Sequence, residues 1–354
     1  MRVPGPSFPR RRPNRGSVIL FVLGVILLTA FLLTQLIARA GSELLVESRA
    51  ARLSELRAEA YSALEVTLAV LADFRAVDDG LHAPQQGWSD PLAYAGYQPG
   101  AGLTVAVRFD DETGKLPLAA ADAATLERYA ETIGLERMEA ERLADALLAW
   151  TKADHVASFA ENDPLRYEMG DLPYAAPQRP LRSFEELRAV AVAQDLFFEP
   201  DGRWSELGER FREDASLHRF SQVNLNTARP SVLVALGLSP AQAVAIAESL
   251  APVPGTPVKY FRTAGDAATA EGLDLTGVNV GTDVRCLRVR IAVRRGGVPF
   301  LLEAVVRIGG GGGGGSTPRV EEGAVPSEPR PATRKRVDYP FGILELRESH
   351  QPLT

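Results

Sequence analysis

Cysteine is almost missing from the 354 residues: Cys286 stands alone, which excludes an intrachain disulfide framework and any multi-cysteine zinc or iron–sulfur site. Four histidines, His82, His155, His218 and His350, are too scattered to build a histidine-rich metal centre. No proline falls between Pro13 and Pro84, and no charged residue between Gly16 and Ala38. A phosphate-binding loop is also missing, because the glycine run Gly309–Gly315 has neither a following lysine nor a following helix. No serine or cysteine stands in a nucleophile setting, and Asp154 beside His155 is a sequence neighbourhood rather than a catalytic geometry. The chain does not read as an enzyme.

Charge is distributed unevenly. Setting aside Arg2, Arg10, Arg11, Arg12 and Arg15 of the first sixteen residues turns the formal −6 into −11 for the remainder. An acidic body lacks the cationic contacts that supply most affinity for nucleic acid. Its scattered acids read as a solvated surface.

The uncharged stretch from Gly16 to Ala38 is 23 residues long. At about 1.5 Å per residue it spans about 34 Å as a helix, enough to cross a hydrocarbon layer of about 30 Å. The arginines before it hold the N-terminus in the cytoplasm and place residues 39–354 across the membrane. Ala38-Arg39-Ala40 fits a signal-peptide cleavage pattern, but the apolar run exceeds the ~7–15 residues of a signal-peptide core. A plain single-span anchor is the simpler alternative.

Beyond the apolar run, Leu45, Leu53, Leu56, Ala60, Leu64, Leu68 and Leu71 recur at helical spacing. Span and stripe therefore predict one helix from Ser17 to Asp73, roughly 85 Å long. A turn-rich stretch from Asp78 to Gly102 follows. Leu103–Phe109 then alternates as a strand, closed by an exposed turn over Asp110–Gly114. Helices are expected at Asp122–Ile133, Glu136–Trp150, Ser183–Val192, Ser231–Leu236 and Pro240–Leu250, the last capped by Ser239.

Strands return near the end of the chain. In Arg285–Arg294, Leu287, Val289, Ile291 and Val293 share one face, while Arg288, Arg290 and Arg294 share the other with Cys286. Val298–Ile308 follows across Gly296-Gly297 as a hairpin, and Tyr339–Arg347 reads as a last strand. Between them, 309–336 is a glycine-rich polar linker. The fold class is α+β with a large all-α insertion.

Two segments of the insertion resemble each other. Gly114-Lys-Leu-Pro-Leu118, helix, Ile133-Gly134-Leu135, helix is matched by Val223-Asn-Leu-Asn-Thr-Ala228, helix, Leu236-Gly237-Leu238, helix. Each puts a Gly-Leu hairpin between two short helices, where glycine suits a left-handed turn. Membrane-anchored helix-hairpin-helix repeats would suggest a competence-like DNA receptor. However, Arg229 is the only cation between Asn224 and Leu250, and Glu131, Glu136, Glu139 and Glu141 surround the first hairpin.

A basic leader ending in Gly16, then an apolar helix running on as an amphipathic one, resembles the type IV pilin and pseudopilin family. Val223-Asn224-Leu225-Asn226-Thr227-Ala228 and Pro180–Leu187 narrow the resemblance to the type II secretion minor pseudopilin K family, over roughly residues 15–308. The likeness implies a pseudopilin fold: a long N-terminal helix on a small antiparallel sheet, with a helical domain of two SAM-like, helix-hairpin-helix repeats inserted. It divides the chain into a leader (1–16), a membrane half-helix (17–38), a core (39–118), the insertion (119–275), core strands (276–308), the linker (309–336) and a tail (337–354).

The resemblance also implies prepilin peptidase cleavage between Gly16 and Ser17, methylation of the new amine, and a single pass through the inner membrane with a periplasmic body. Phe21 stands where most pilins carry glutamate, which fits a tip position in the filament. Minor subunits of the I and J type and the major pseudopilin are the implied partners. Asn224, Asn226, Thr227 and Gly237 carry the structural motif. A minor pilin of a related pilus shares this plan. The family's acidic calcium run is degraded here to Ala149-Trp-Thr-Lys-Ala-Asp154, so no metal ligand and no cofactor is assigned; calcium stays open, because Asp110, Asp111 and Glu112 could bind a cation, although an exposed turn explains them more simply.

Overall fold

The computed structural model describes residues 15–169, 174–252, 258–296, 299–309 and 341–349. Most of the leader, the linker beyond Gly309, and residues 339–340 of the expected last strand lie outside them. The chain divides into two units, residues 1–58 and 59–354.

Helix α1 runs Arg15–Asp78, and its uncharged part is long and apolar enough to cross a membrane, with a mean hydropathy of 2.6. Its regular hydrogen bonding continues through Gly41, which proline-free sequence on both sides permits. In the first unit most apolar side chains described on the helix are exposed, Phe21 among them, and of the expected stripe Leu45 and Leu53 are exposed while Leu56 is buried. In the second unit the same helix buries Ala60, Ala63, Leu64, Leu68 and Leu71, and Tyr61 donates to Glu348 at 2.7 Å.

The sheet has the order β1 (Thr104–Asp111), β6 (Cys286–Arg294), β7 (Phe300–Ile308), β8 (Phe341–Ser349), antiparallel throughout. Register sets Val107 against Ile291 and Ile291 against Leu302, so one face is apolar. The other face sets Arg108 against Arg290 and Arg290 against Glu303. A bulge between Val305 and Val306 shifts the pairing of β8.

Between β1 and β6 the chain builds the helical domain. The small turn helix α2 (Pro91–Tyr94) precedes β1, with the Asp90 side chain accepting from Ala93 N–H. After β1, a tight turn over Glu112–Gly114 leads to β2 (Leu116–Pro117), then α3 (Ala123–Thr132) and α4 (Arg137–Thr151). Next come α5 (Leu165–Glu168), α6 (Ala191–Phe197), α7 (Glu206–Asp214), and β3 (Ala215–Ser216), which pairs in parallel with β2. Finally β4 (Val223–Asn224), α8 (Pro230–Ala235), α9 (Pro240–Leu250), α10 (Ala264–Glu271) and β5 (Val280–Gly281) close the insertion, β4 and β5 pairing in parallel. Its main core gathers Leu126, Tyr129, Leu143, Trp150, Leu187, Phe197 and Phe211. A second core around Leu225, Leu233, Ile246 and Phe261 supports α8 to α10.

Two expectations change. The helix expected over Ser183–Val192 is a 3-10 turn over Phe184–Ala189, interrupted where fully buried Val190 takes an extended backbone, before α6 begins. The expected exposed turn at Asp110–Gly114 is largely buried: Glu112 is 2% exposed, and Asp111, Thr113 and Gly114 are buried with it.

Candidate functional site

The two hairpins share one geometry. Gly134 and Gly237 adopt φ of 110° and 111°. Leu135 N–H returns to Ala130 O at 3.1 Å and Leu238 N–H to Leu233 O at 3.2 Å, while the glycine N–H groups reach Glu131 O and Val234 O. This six-to-one closure satisfies the last carbonyls of each first helix. Each second helix opens with a capping box, Glu136 with Glu139 and Ser239 with Gln242. Gly237 is thus a hairpin residue, and its positive φ excludes a β-carbon without strain.

The motif Val223–Ala228 lies elsewhere, at the root of the insertion. Asn224, fully buried, donates from Nδ2 to His82 O and to Asp111 Oδ2, both at 2.8 Å. Its Oδ1 accepts from Asn226 N–H at 3.0 Å. Asn226 in turn donates to Phe261 O and Thr282 O and accepts from Phe261 N–H at 2.7 Å. Thr227 Oγ1 donates to Asp111 Oδ2 at 2.6 Å, and Asp111 Oδ1 accepts from Thr113 N–H. The two asparagines therefore staple the second repeat to β1, to the loop after α1 and to the segment between β5 and β6. Three of the four motif residues meet here, and Gly237 does not.

Asp111 is the residue that sequence reasoning placed on a solvated turn. Burial pushes its carboxyl up to about 6, against the pull of Thr227, Asn224 and Thr113. The native state takes up this proton before the unfolded chain does, so the group costs stability as pH rises from ~4 to ~6. His82, also buried, is raised chiefly by its hydrogen bond to Asp283, opposed by burial. Its Nδ1 lies 3.3 Å from Asp283 and 3.1 Å from Thr282 O.

Gly114 closes the root tightly. A β-carbon there would meet the Thr227 hydroxyl and stand 2.9 Å from the Thr227 carbonyl carbon. Gly114→Ala is expected to cost about 1–3 kcal/mol through this overlap. A lower midpoint in urea denaturation checks it, and an unchanged midpoint would show that Thr227 gives way freely.

Beside the root runs an ionic ladder. Arg288 donates to Glu112 at 2.7 Å and to Glu303 at 2.5 Å, Arg290 donates to Glu303 at 2.8 Å, and Lys115 bonds Asp110 and Glu112. Ser216 Oγ donates to Glu112 at 2.7 Å, tying in β3. Burial pushes Glu112 and Glu303 up, but their cationic neighbours, Lys115 and Arg288 for Glu112, prevail and hold both below the usual carboxylate range. Together with Asp111, Asp145 and Asp214, these buried acids correct the reading of the acids as a solvated surface.

Among the described residues, neither the degraded run nor Asp110–Glu112 fits a calcium ion. Lys152, within the degraded run, places its ammonium on Ala121 O outside it, and Asp145 already accepts from His155, Ser158, Phe159 and Asn162. Donors likewise fill Asp110, Asp111 and Glu112. Cys286, on the arginine-bearing face as read, is nevertheless buried, and burial pushes its thiol up to about 12, an unreactive state.

A long helix and a four-stranded antiparallel sheet, with a helical domain spliced between the first and second strands of the sheet, make up a pseudopilin fold with an insertion. Residues 108–197 match the family model for type II secretion system (T2SS) protein K. The chain is also similar in fold to one in the crystal structure of the GspK-GspI-GspJ complex from the enterotoxigenic Escherichia coli type 2 secretion system. That match has a TM-score of 0.57 and 13% identity, and covers 86% of this chain and 99% of that one. Curated proteins gave no match. The likeness to the type II secretion protein K family is thus carried in sequence by residues 108–197 and in the rest of the chain by fold.

Proposed function

We propose that this chain is a minor pseudopilin of a type II secretion system that caps the tip of the pseudopilus and helps start its assembly, a structural rather than catalytic role. The observation that carries the reading is the splice itself. A domain of well over a hundred residues replaces the connection between neighbouring strands β1 and β6 and is fixed at its root by buried hydrogen bonds. A head of that bulk leaves no room for a further subunit to add beyond it.

The apolar part of α1 anchors the chain in the inner membrane, with the arginine-rich end cytoplasmic and the body periplasmic. Gly16 and Ser17 form the prepilin peptidase site. Phe21 supports the tip position, since a carboxylate in the apolar filament core needs a cationic partner, and a terminal subunit meets none. The composition of the similar complex supports I- and J-type pseudopilins as partners; below them the major pseudopilin continues the filament.

Two measurements test this. Mass spectrometry of the mature chain should find methylated Ser17 at its start; a start at Gly41 or an intact Met1 overturns the processing. Gold-labelled antibody against residues 119–275 should mark one end of isolated pseudopili. Label along their length overturns the cap.

A further inference from the structure

The arginine-bearing face of the sheet carries more positive charge than the ladder uses. Arg307 stands on β7 opposite Cys286 on one side and Gly342 on the other, so no side chain of β8 covers it. Arg219 sits in the loop between β3 and β4. Both are exposed, and among the described residues neither guanidinium has an ion-pair or hydrogen-bond partner. They line one cavity of about 330 Å³, within the size range of small-ligand clefts.

The other titratable groups of this cavity leave the two charges standing. Asp283 is bound to Arg285 at 2.6 Å and to His82 at 3.3 Å. His218 is lowered, first by burial, with Arg288 and Arg307 adding to it against Glu112 and Glu345, so it is neutral at pH 7. Glu345, 3.7 Å from His218, pairs with Arg347 at 3.0 Å. The buried thiol of Cys286 carries no charge. Two uncompensated cations remain, on a chain whose overall charge is negative.

Apolar groups line the same cavity: Phe220, Ile308 and Leu344. Leu344 belongs to β8, which is the last strand of the sheet among the described residues and leaves Ile343, Leu344 and Leu346 exposed. A bare oxyanion would make no use of these walls, whereas an extended segment could lie along β8.

We infer that this cavity binds the carboxylate of an acidic residue in an extended, apolar-flanked segment of a partner protein, with Arg219 and Arg307 as its cationic clamp. Arginine suits the task because its planar fork matches a carboxylate. The inference stands on the cavity alone and does not depend on the tip reading.

The test uses the full chain in non-ionic detergent and a fluorescent peptide alternating leucine with glutamate. Anisotropy should show saturable binding that weakens with salt. A twin with glutamine for glutamate, and the variant Arg219→Gln/Arg307→Gln, should each bind at least about tenfold more weakly, the loss expected for charge-assisted hydrogen bonds. Both arginines are exposed, so the variant should keep the wild-type melting curve. Equal binding of the glutamine twin, or undiminished binding by the folded variant, overturns the inference. Displacement of the peptide by inorganic phosphate at equal concentration, or arginine-dependent binding to anionic vesicles but not to the peptide, also overturns it.

Discussion

Asn224→Asp is expected to lower stability by about 3–5 kcal/mol at pH 7.5 and to regain part of that loss at pH 5. The aspartate keeps the acceptor for Asn226 N–H but loses the donor to His82 O, and it sets a second carboxylate about 2.8 Å from Asp111. Two carboxylates so close do not both ionise in a buried site. Asp111 is already pushed up to about 6 beside the neutral amide, and the new charge raises the pair further. One proton restores a donor between them, so the deficit shrinks as pH falls through the raised value. Urea unfolding of the full chain in detergent at both pH values measures this. Asn224→Ala serves as the contrast: it leaves His82 O without a donor at every pH, and since it removes only the amide's pull on Asp111 it should show a smaller acid recovery than Asn224→Asp. A loss in Asn224→Asp that is equal at pH 7.5 and pH 5 would mean that the two carboxyls do not face each other.

Arg288→Leu should cost about 3 kcal/mol at pH 7.5, near the low end for breaking a buried ion pair, because Lys115 still faces Glu112 and Arg290 still faces Glu303. The wild-type carboxylates are held below their ordinary range, so their contribution is full above ~4.5 and is lost as pH falls through the native values. Without the guanidinium, burial raises the same groups, and the deficit of the variant narrows on acidification. Adding Glu112→Gln and Glu303→Gln to Arg288→Leu should recover most of the stability, since no buried charge then lacks its partner. If Arg288→Leu unfolds at the wild-type urea midpoint, the ladder is ornamental to stability.

How much of this was legible in the residues follows from the range of the forces involved. Helix α9 begins at Pro240 under the Ser239 cap as read, because a cap and a proline act within one turn. The alternation of β6 also appears as read, since one buried face imposes a period of two. Helix α7 escaped notice: Leu207 and Phe211 are its only large apolar residues, and Gly208 and Asp214 complete its buried face. Asp214 earns that place by accepting from Ser231 and Arg229, seventeen and fifteen residues on. The root of the insertion was half visible. Its asparagines stood out as a motif, but Asp111 lies 113 residues from Asn224 and 116 from Thr227, and nothing local distinguishes it from a turn aspartate. Long-range partners decided its burial.

The pairing of Asp111 with Leu287 sets the two ends of the inserted domain one strand-spacing apart. To the sheet, everything between those residues is a single tight bend, already closed by its own folding. The entropy of bringing strand ends together grows only slowly with the length between them, and here a folded body has met it beforehand. The scaffold therefore sets no ceiling on the size of its cargo: a lineage could enlarge, shrink or exchange the domain without disturbing the strands that carry it.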